Sequence, residues 1–466
     1  MAIYEISNFS GGLADFEDRG LKGAFKFGAN LDIRKRRDTL SCNQTIKNEY
    51  LPSSAAFTNL LVKQVKCSDG YVYGFGHLGK IYKRDTTGAW TLVKDMAETI
   101  TSAEEKPSAG GIRYLVWTTL TKLHCKRIPG VADWSDVDTG LASFPKTTLT
   151  NTSQHSMAVV AGDVMIANDS SLAMLAYDDS YTDNALDLIP GNIAKTVLER
   201  NGRAVVGTYR AGDPNKGVNG AIDSEVPLIQ VGDDGELFYA DFASTMPVKR
   251  FPGGGKVNPA GVCNLIDPVQ LFNWETTALS WIDKQSVGNL AVFGVYGAST
   301  GMGGIYTYGR KSKNHPFVLN LEYQFDADEI GSVCSIGGVI VFSYRSGANY
   351  GVKAVDLSNK ATGIYEGLDF KAPIKKASQS TIWGIVELFL DPLPTSCSVE
   401  FWYKLNKTGS FIQAKTADGN SSYAVTNGKQ AVFRIQESGQ ILEPRIVLNS
   451  SGNTCPEVHR LRIYFN

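Results

Sequence analysis

The segment Ser68-Asp-Gly-Tyr-Val-Tyr-Gly-Phe-Gly-His-Leu-Gly-Lys-Ile-Tyr-Lys83 carries a pattern that the chain repeats five more times. A strand of apolar and aromatic residues leads into a Gly-containing turn, and a second strand opens on a small residue followed by an aliphatic one. In the later copies residues 114–119 lead to 121–124, 164–169 to 171–172, 228–233 to 235–238, 291–297 to 304–306, and 339–344 to 351–352. The aliphatic anchors Ile81, Leu123, Leu172, Leu237, Ile305 and Val352 fall 42, 49, 65, 68 and 47 residues apart.

A hairpin that returns every 40–50 residues or so is the mark of a β-propeller, with one four-stranded sheet per repeat. A lone hairpin cannot cover both of its apolar faces, so neighbouring copies must stack on it. The first strands, such as Val339-Ile-Val-Phe342 and Leu115-Val-Trp117, are apolar nearly throughout, which suits burial on both faces. A large irregular β-sandwich would also show short strands and turn signals; the spacing favours the propeller, of six or seven blades. The two longer intervals, before Leu237 and before Ile305, read as insertions in loops between blades.

At 466 residues the chain exceeds one ordinary core, so a repeat array or two or three units are expected. Net charge is -1, with 46 basic against 47 acidic residues, and no global field draws the chain to nucleic acid or membrane. The start Met1-Ala-Ile-Tyr-Glu-Ile6 lacks the basic and apolar regions of a secretory signal, and no membrane-spanning apolar run appears. Seven cysteines with no Cys-x-x-Cys argue against a disulfide framework or a zinc site and for buried thiols in a reducing cytoplasm.

The first 60 residues stand outside the repeat. Asn8-Phe-Ser-Gly-Gly-Leu13 is a tight turn, and Phe25, Phe27, Leu31 and Ile33 recur with a strand-like period of two. Arg34-Lys-Arg-Arg37 would serve as a nucleic-acid patch, although four residues between two strands fit a solvated turn better. Residues 23–45 could supply the missing strands of a seventh blade.

Phe9-x-Gly-Gly-Leu13, followed by Asn30-Leu-Asp-Ile33 and Leu40, resembles the opening of tailed-bacteriophage structural proteins. In those proteins a Gly-Gly-Leu start and an Asn-x-Asp strand precede a β-propeller body. They are nozzle or tail-stabilisation rings at a portal exit and propeller proteins of the distal tail hub. The resemblance is carried by about 35 N-terminal residues. It implies a virion tail component made in the host bacterial cytoplasm.

Residues 61–368 hold the six hairpins, with Trp90 and Trp134 closing the first two copies as expected of blade packing. Near residue 370 Phe370-Lys-Ala-Pro373 reads as a linker into a C-terminal antiparallel β-sandwich. Its turns are Asp391-Pro, Thr408-Gly, Asp418-Gly, Asn427-Gly and Ser451-Gly-Asn. The expected organisation is therefore an N-terminal arm with first strands (1–60), a propeller (61–368) and a sandwich (369–466).

No catalytic set emerges. The histidines (77, 124, 155, 315 and 459) are scattered without metal-ligand spacing, and His124, between Leu123 and Cys125, reads as a blade residue. There is no Gly-x-Ser-x-Gly. The acidic run Asp178-Asp-Ser-Tyr-Thr-Asp-Asn-Ala-Leu-Asp187 could hold Ca²⁺, but it lacks the Gly and terminal Glu of an EF-hand and fits an exposed polar loop. Ser68-Asp-Gly70 approaches a sialidase box with the wrong spacing. Residues 212–220 and 251–256 are Gly-rich without the Lys-Ser/Thr ending of a phosphate loop.

These readings name no catalytic, cofactor or metal residue and expect no cofactor. They lead to a non-enzymatic structural protein of a phage tail. It would assemble as a homo-oligomeric ring that contacts other tail or portal-adaptor proteins and lines or gates the DNA exit path, touching viral DNA only in passing. The alternative is a propeller that binds or cleaves host glycans for attachment.

Overall fold

A computed structural model describes residues 2–14, 23–34, 36, 38–49, 57–128, 134, 138, 141, 143–150, 155–188, 190–191, 193–200, 202–209, 228–230, 237–240, 248–251, 256–257, 263–264, 269–272, 284–287, 290–296, 301–310, 318–371 and 381–466. The chain is all-β, a six- or seven-bladed β-propeller with a C-terminal antiparallel β-sandwich. The one helical turn among the described residues is the 3-10 turn Ala109–Gly111. No helix among them is long and apolar enough to cross a membrane.

The chain divides into two units. A propeller unit spans Asn48–Gly303 and Asp326–Ala354, and a sandwich unit gathers Met1–Lys47, Gly304–Phe325 and Val355–Asn466.

In the propeller unit the founding hairpin is Val72–Gly76 against Lys80–Arg84, closed by a turn in which Gly79 takes φ 92°. Leu61–Lys66 and Trp90–Asp95 complete its four-stranded antiparallel sheet. Every residue of Val72–Gly76 is buried, and alternate residues serve different neighbours. Tyr73 and Phe75 pack with Leu115 and Trp117 of the next sheet, Ile100–Pro107, Arg113–Thr119 and Leu123–Ile128. Val72 packs with Tyr82 and Trp90 of its own sheet against Cys334, Val341, Val352 and Ala354 of the last one. The first sheet thus packs against the last sheet of the same unit, as a closed ring of blades requires.

The opposite face of the second sheet (Tyr114, Val116, Leu123, Cys125) packs on Val164, Ile166, Ala173 and Leu175 of a third. That third sheet runs Met157–Val160, Asp163–Asn168, Ser171–Leu175, Tyr181–Asp187 in chain order.

Both long intervals contain strands among their described residues. Between Leu172 and Leu237 lies a further hairpin, Ile193–Arg200 with Arg203–Tyr209, whose Ala194 and Val197 pack on Ala158, Val160 and Leu172 of the third sheet. The interval before Ile305 holds Val248–Phe251 and Val269–Phe272, which complete a sheet with Leu228–Gln230 and Leu237–Ala240. The structure spends these residues on strands because each blade needs partners to cover its hairpin.

In the sandwich unit one sheet runs Ala2–Ile6, Val458–Phe465, Thr381–Leu390, Gln430–Gly439, Lys415–Thr416. The other runs Phe25–Ala29, Gly363–Gly367, Ile441–Asn449, Ser398–Leu405, Ile412–Gln413, with Phe370–Lys371 also on Ile441–Asn449. Buried and half-exposed residues alternate along Ser398–Leu405, as for a strand covered on one face. The turn residues behave as their chemistry requires, with positive φ at Asn427, Gly409, Gly419 and Gly452.

Two strands from the first 47 residues therefore belong to the sandwich, and the blade-completing role expected for residues 23–45 does not hold for Phe25–Ala29. Its partner is Gly363–Gly367, in register from Phe25↔Gly367 to Ala29↔Ile364. Only Gln44–Glu49 runs beside a propeller-type strand, Asn349–Lys360.

Candidate functional site

The N-terminal motif is built into the sandwich unit by contacts that depend on its residue types. Phe9 is fully buried, edge-on to Tyr365 at 5.4 Å. A Cβ on Gly11 would lie 2.1 Å from the backbone nitrogen of Ala24, and Gly12 takes φ 75° where an added Cβ would lie 2.7 Å from the Leu319 carbonyl oxygen. That close approach lets the Leu13 N–H donate to the Leu319 carbonyl at 2.9 Å. Asn30 takes φ 57°, donates through Nδ2 to the Thr362 carbonyl and accepts from the Gln324 N–H at 2.8 Å. The carbonyl of buried Leu31 accepts from both Asn43 and Asn320, each at 2.9 Å.

Arg34, expected in a solvated turn, is instead a half-buried anchor. Its guanidinium meets Glu322, the Thr307 hydroxyl at 2.7 Å and the Val318 carbonyl at 3.0 Å. These partners satisfy the two terminal nitrogens, whereas Nε, also out of water, has no hydrogen-bond partner among the described residues. Arg36 is exposed and reaches Asp391 and Glu457. Lys35 and Arg37 lie outside the described residues.

In the propeller unit a group of titratable side chains surrounds His124. This residue sits in the strand Leu123–Ile128, opposite Trp117, whose ring stacks on the imidazole at 5.6 Å. Nδ1 lies 2.9 Å from Asp138, and the same carboxylate accepts from the Cys125 N–H at 3.0 Å. Nε2 points at Glu98, 3.6 Å away, and Glu98 accepts from Lys122 at 2.7 Å. Burial pushes the Glu98 carboxyl up, but the Lys122 hydrogen bond and the charges of Lys122 and His124 outweigh it and leave it below its ordinary value.

An aspartate orienting an imidazole is half of a nucleophile-activating triad. The position where a hydroxyl or thiol would stand is held by Glu98, which has neither group to be activated. The arrangement ties three turns of one blade together. Sequence reasoning placed His124 in the blade correctly and missed Glu98, Lys122 and Asp138, which carry no local pattern.

The acidic run is dispersed. Asp178 accepts from the Ser180 hydroxyl and N–H, which hold its carboxyl below the usual value. Asp179 meets Lys106 at 2.5 Å and the Ser108 hydroxyl at 2.6 Å, and Asp183 accepts from Thr148. Among the described residues no group of three or more His, Cys, Asp or Glu side chains is placed to hold a metal. Trp90 is fully buried and donates to Glu49 at 2.7 Å; Trp134 is also buried. His315, residues 212–220 and most of residues 251–256 lie outside the described residues.

No protein-family model and no curated protein matches the chain. Solved structures resemble it at low identity. A catalytically inactive virginiamycin B lyase from Staphylococcus aureus, solved with quinupristin, is 13% identical over 67% of this chain and 99% of its own, with TM-score 0.41. The PQQ-bound aldose sugar dehydrogenase of Streptomyces coelicolor is 12% identical over 67% and 98%, TM-score 0.38. The WD40 repeats of RRP9 are 12% identical over 68% and 98%, TM-score 0.38. Their activities are statements about those proteins.

Proposed function

We propose that the chain is a structural component of a bacteriophage tail, residing in the virion and assembling with copies of itself into a ring. The ring connects tail or portal-adaptor proteins and lines or gates the path by which DNA leaves. In this reading the chain is not an enzyme, and its work is mechanical. The observation that carries it is the N-terminal motif: of the residues that resemble phage tail proteins, Phe9, Leu13, Leu31, Ile33 and Leu40 are buried, and Gly11, Gly12 and Asn30 are sterically or backbone-restricted positions of the sandwich unit. A resemblance resting on exposed, unconstrained residues would mean little; here each matched residue type answers a steric or hydrogen-bonding demand.

A net charge of -1 suits a DNA passage that must release its cargo, since affinity for phosphate rises with every basic contact. Head-to-tail contacts that close under cyclic symmetry would produce the ring.

Negative-stain images and a glycan array on the same preparation test the reading. Annular particles with a central opening and no glycan binding are expected. Isolated particles that bind host-type glycans would overturn the proposal in favour of an attachment protein.

A further inference from the structure

Cys42 and Cys455 are 413 residues apart in sequence and adjacent in the sandwich unit. Reciprocal backbone bonds between Leu40 and Val458, at 2.8 and 3.0 Å, run the two segments antiparallel. This pairing brings the Cys42 N–H to 3.4 Å from the Cys455 sulfur. The Cys42 thiol is fully buried, 3.6 Å from the Leu448 carbonyl, whereas Cys455 keeps 9% exposure beside the tight turn Ser451-Gly-Asn-Thr454. The Lys360 ammonium donates to the Cys42 carbonyl at 2.8 Å and sets a positive charge beside the sulfur pair.

We propose that these two residues form a dithiol that a hydroperoxide converts to a disulfide, tying the N-terminal segment covalently to the C-terminal one. The roles of the two sulfurs differ. Cys455 is the more accessible sulfur and accepts from the Cys42 N–H at 3.4 Å; the Cys42 thiol, that bond and the Lys360 charge hold its thiol below the ordinary value, although burial opposes them. Cys42 is pushed up by its neighbour Cys455 and by burial.

Cys455 is therefore the attacking thiolate. It displaces hydroxide from the peroxide O–O bond, becoming a sulfenic acid, and the hydroxide takes a proton to leave as water. Cys42 then gives up its proton and attacks the Cys455 sulfur, expelling the sulfenic oxygen as a second water. Two thiols lose two electrons in total and one peroxide gains them. Cys67, Cys125, Cys334 and Cys397 are buried and form no disulfide.

The test is a non-reducing peptide map of the wild-type protein after titration with hydrogen peroxide. The expected result is one linked peptide joining Cys42 and Cys455, lighter than its two parts by about 2 Da. Two of the seven thiols should be lost, and dithiothreitol should restore them. The unfolding temperature of the oxidised form should rise, because the link restricts the unfolded chain. In Cys42→Ser the reaction should stop at a Cys455 sulfenic acid that dimedone traps. A Cys455 link to Cys397 instead, a Cys455 sulfinic acid without any link, or both thiols intact while others oxidise would overturn the proposal. The wild-type map decides the matter even if the variant does not fold.

Discussion

Gly11 leaves no room for a side chain: the atoms a Cβ would meet are backbone atoms of Gly23 and Ala24, 2.1 to 2.6 Å away, and they cannot rotate aside. Gly384, in the same unit, has only the Tyr464 carbonyl oxygen at 3.4 Å, an ordinary contact. Gly11→Ala should therefore cost about 1–3 kcal/mol or more, the range for overpacking a tight site. Gly384→Ala should stay within about 0.5 kcal/mol of wild type. Urea unfolding of the two variants checks the contrast, and equal midpoints would contradict it.

Asp391 offers a pH-dependent case. The His459 hydrogen bond at 2.8 Å, with the charges of His459 and Arg36, holds its carboxyl below the ordinary 3.8. A carboxyl whose folded-state pKa is depressed stabilises the fold above its unfolded value and loses that contribution as pH falls through the folded value. Asp391→Asn should thus lower the melting temperature near neutrality, and the gap to wild type should close as pH drops below 3.8. A gap that stays constant into acid would show that the charge is irrelevant there.

At the scale of elements, the six repeated hairpins were legible because each joins an apolar strand to a small-residue turn. Ile193–Arg200 with Arg203–Tyr209 was not, since Ile193-Ala-Lys-Thr-Val-Leu-Glu-Arg200 mixes apolar and charged residues without clean alternation. The available signal was Asn201-Gly202, a hairpin turn pair, and Gly202 does take φ 74°. Arg34 was misplaced for the opposite reason: a run of basic residues reads as solvated, and its partners Thr307 and Glu322 lie more than 270 residues away. The same limit hid Glu98 and Asp138 from any reading of His124, and it hid the Cys42–Cys455 pair.

Trp90 shows what an element gains from one such unseen partner. Glu49 accepts from its indole N–H and pairs with Arg84, whose Nε lies 2.8 Å away. Trp90→Phe keeps most of the ring and removes the donor, so it should destabilise the propeller unit by about 1–3 kcal/mol, the cost of an unmade bond to a buried charged group. Chemical unfolding measures this. A neutral result would mean that Arg84 alone satisfies Glu49.

For the whole molecule, the repeat spacing revealed a propeller, and the packing of the first sheet on the last supplies its closure. Which unit owns the N-terminus was beyond local pattern, because Ala2–Ile6 pairs with Val458–Phe465 across nearly the full chain. Deleting residues 1–47 removes an edge strand from each sandwich sheet, together with the Phe9, Leu31 and Arg34 anchors. The truncated chain should lose cooperative melting of the sandwich unit, and a melt like that of the full chain would contradict the assignment.

The central functional claim is that copies of this chain close into a ring. Mass by light scattering on the purified full-length protein tests it most directly. The account predicts one species at a fixed integer multiple of 50.6 kDa, unchanged on dilution through the micromolar range. A particle of 50.6 kDa at every concentration would contradict it.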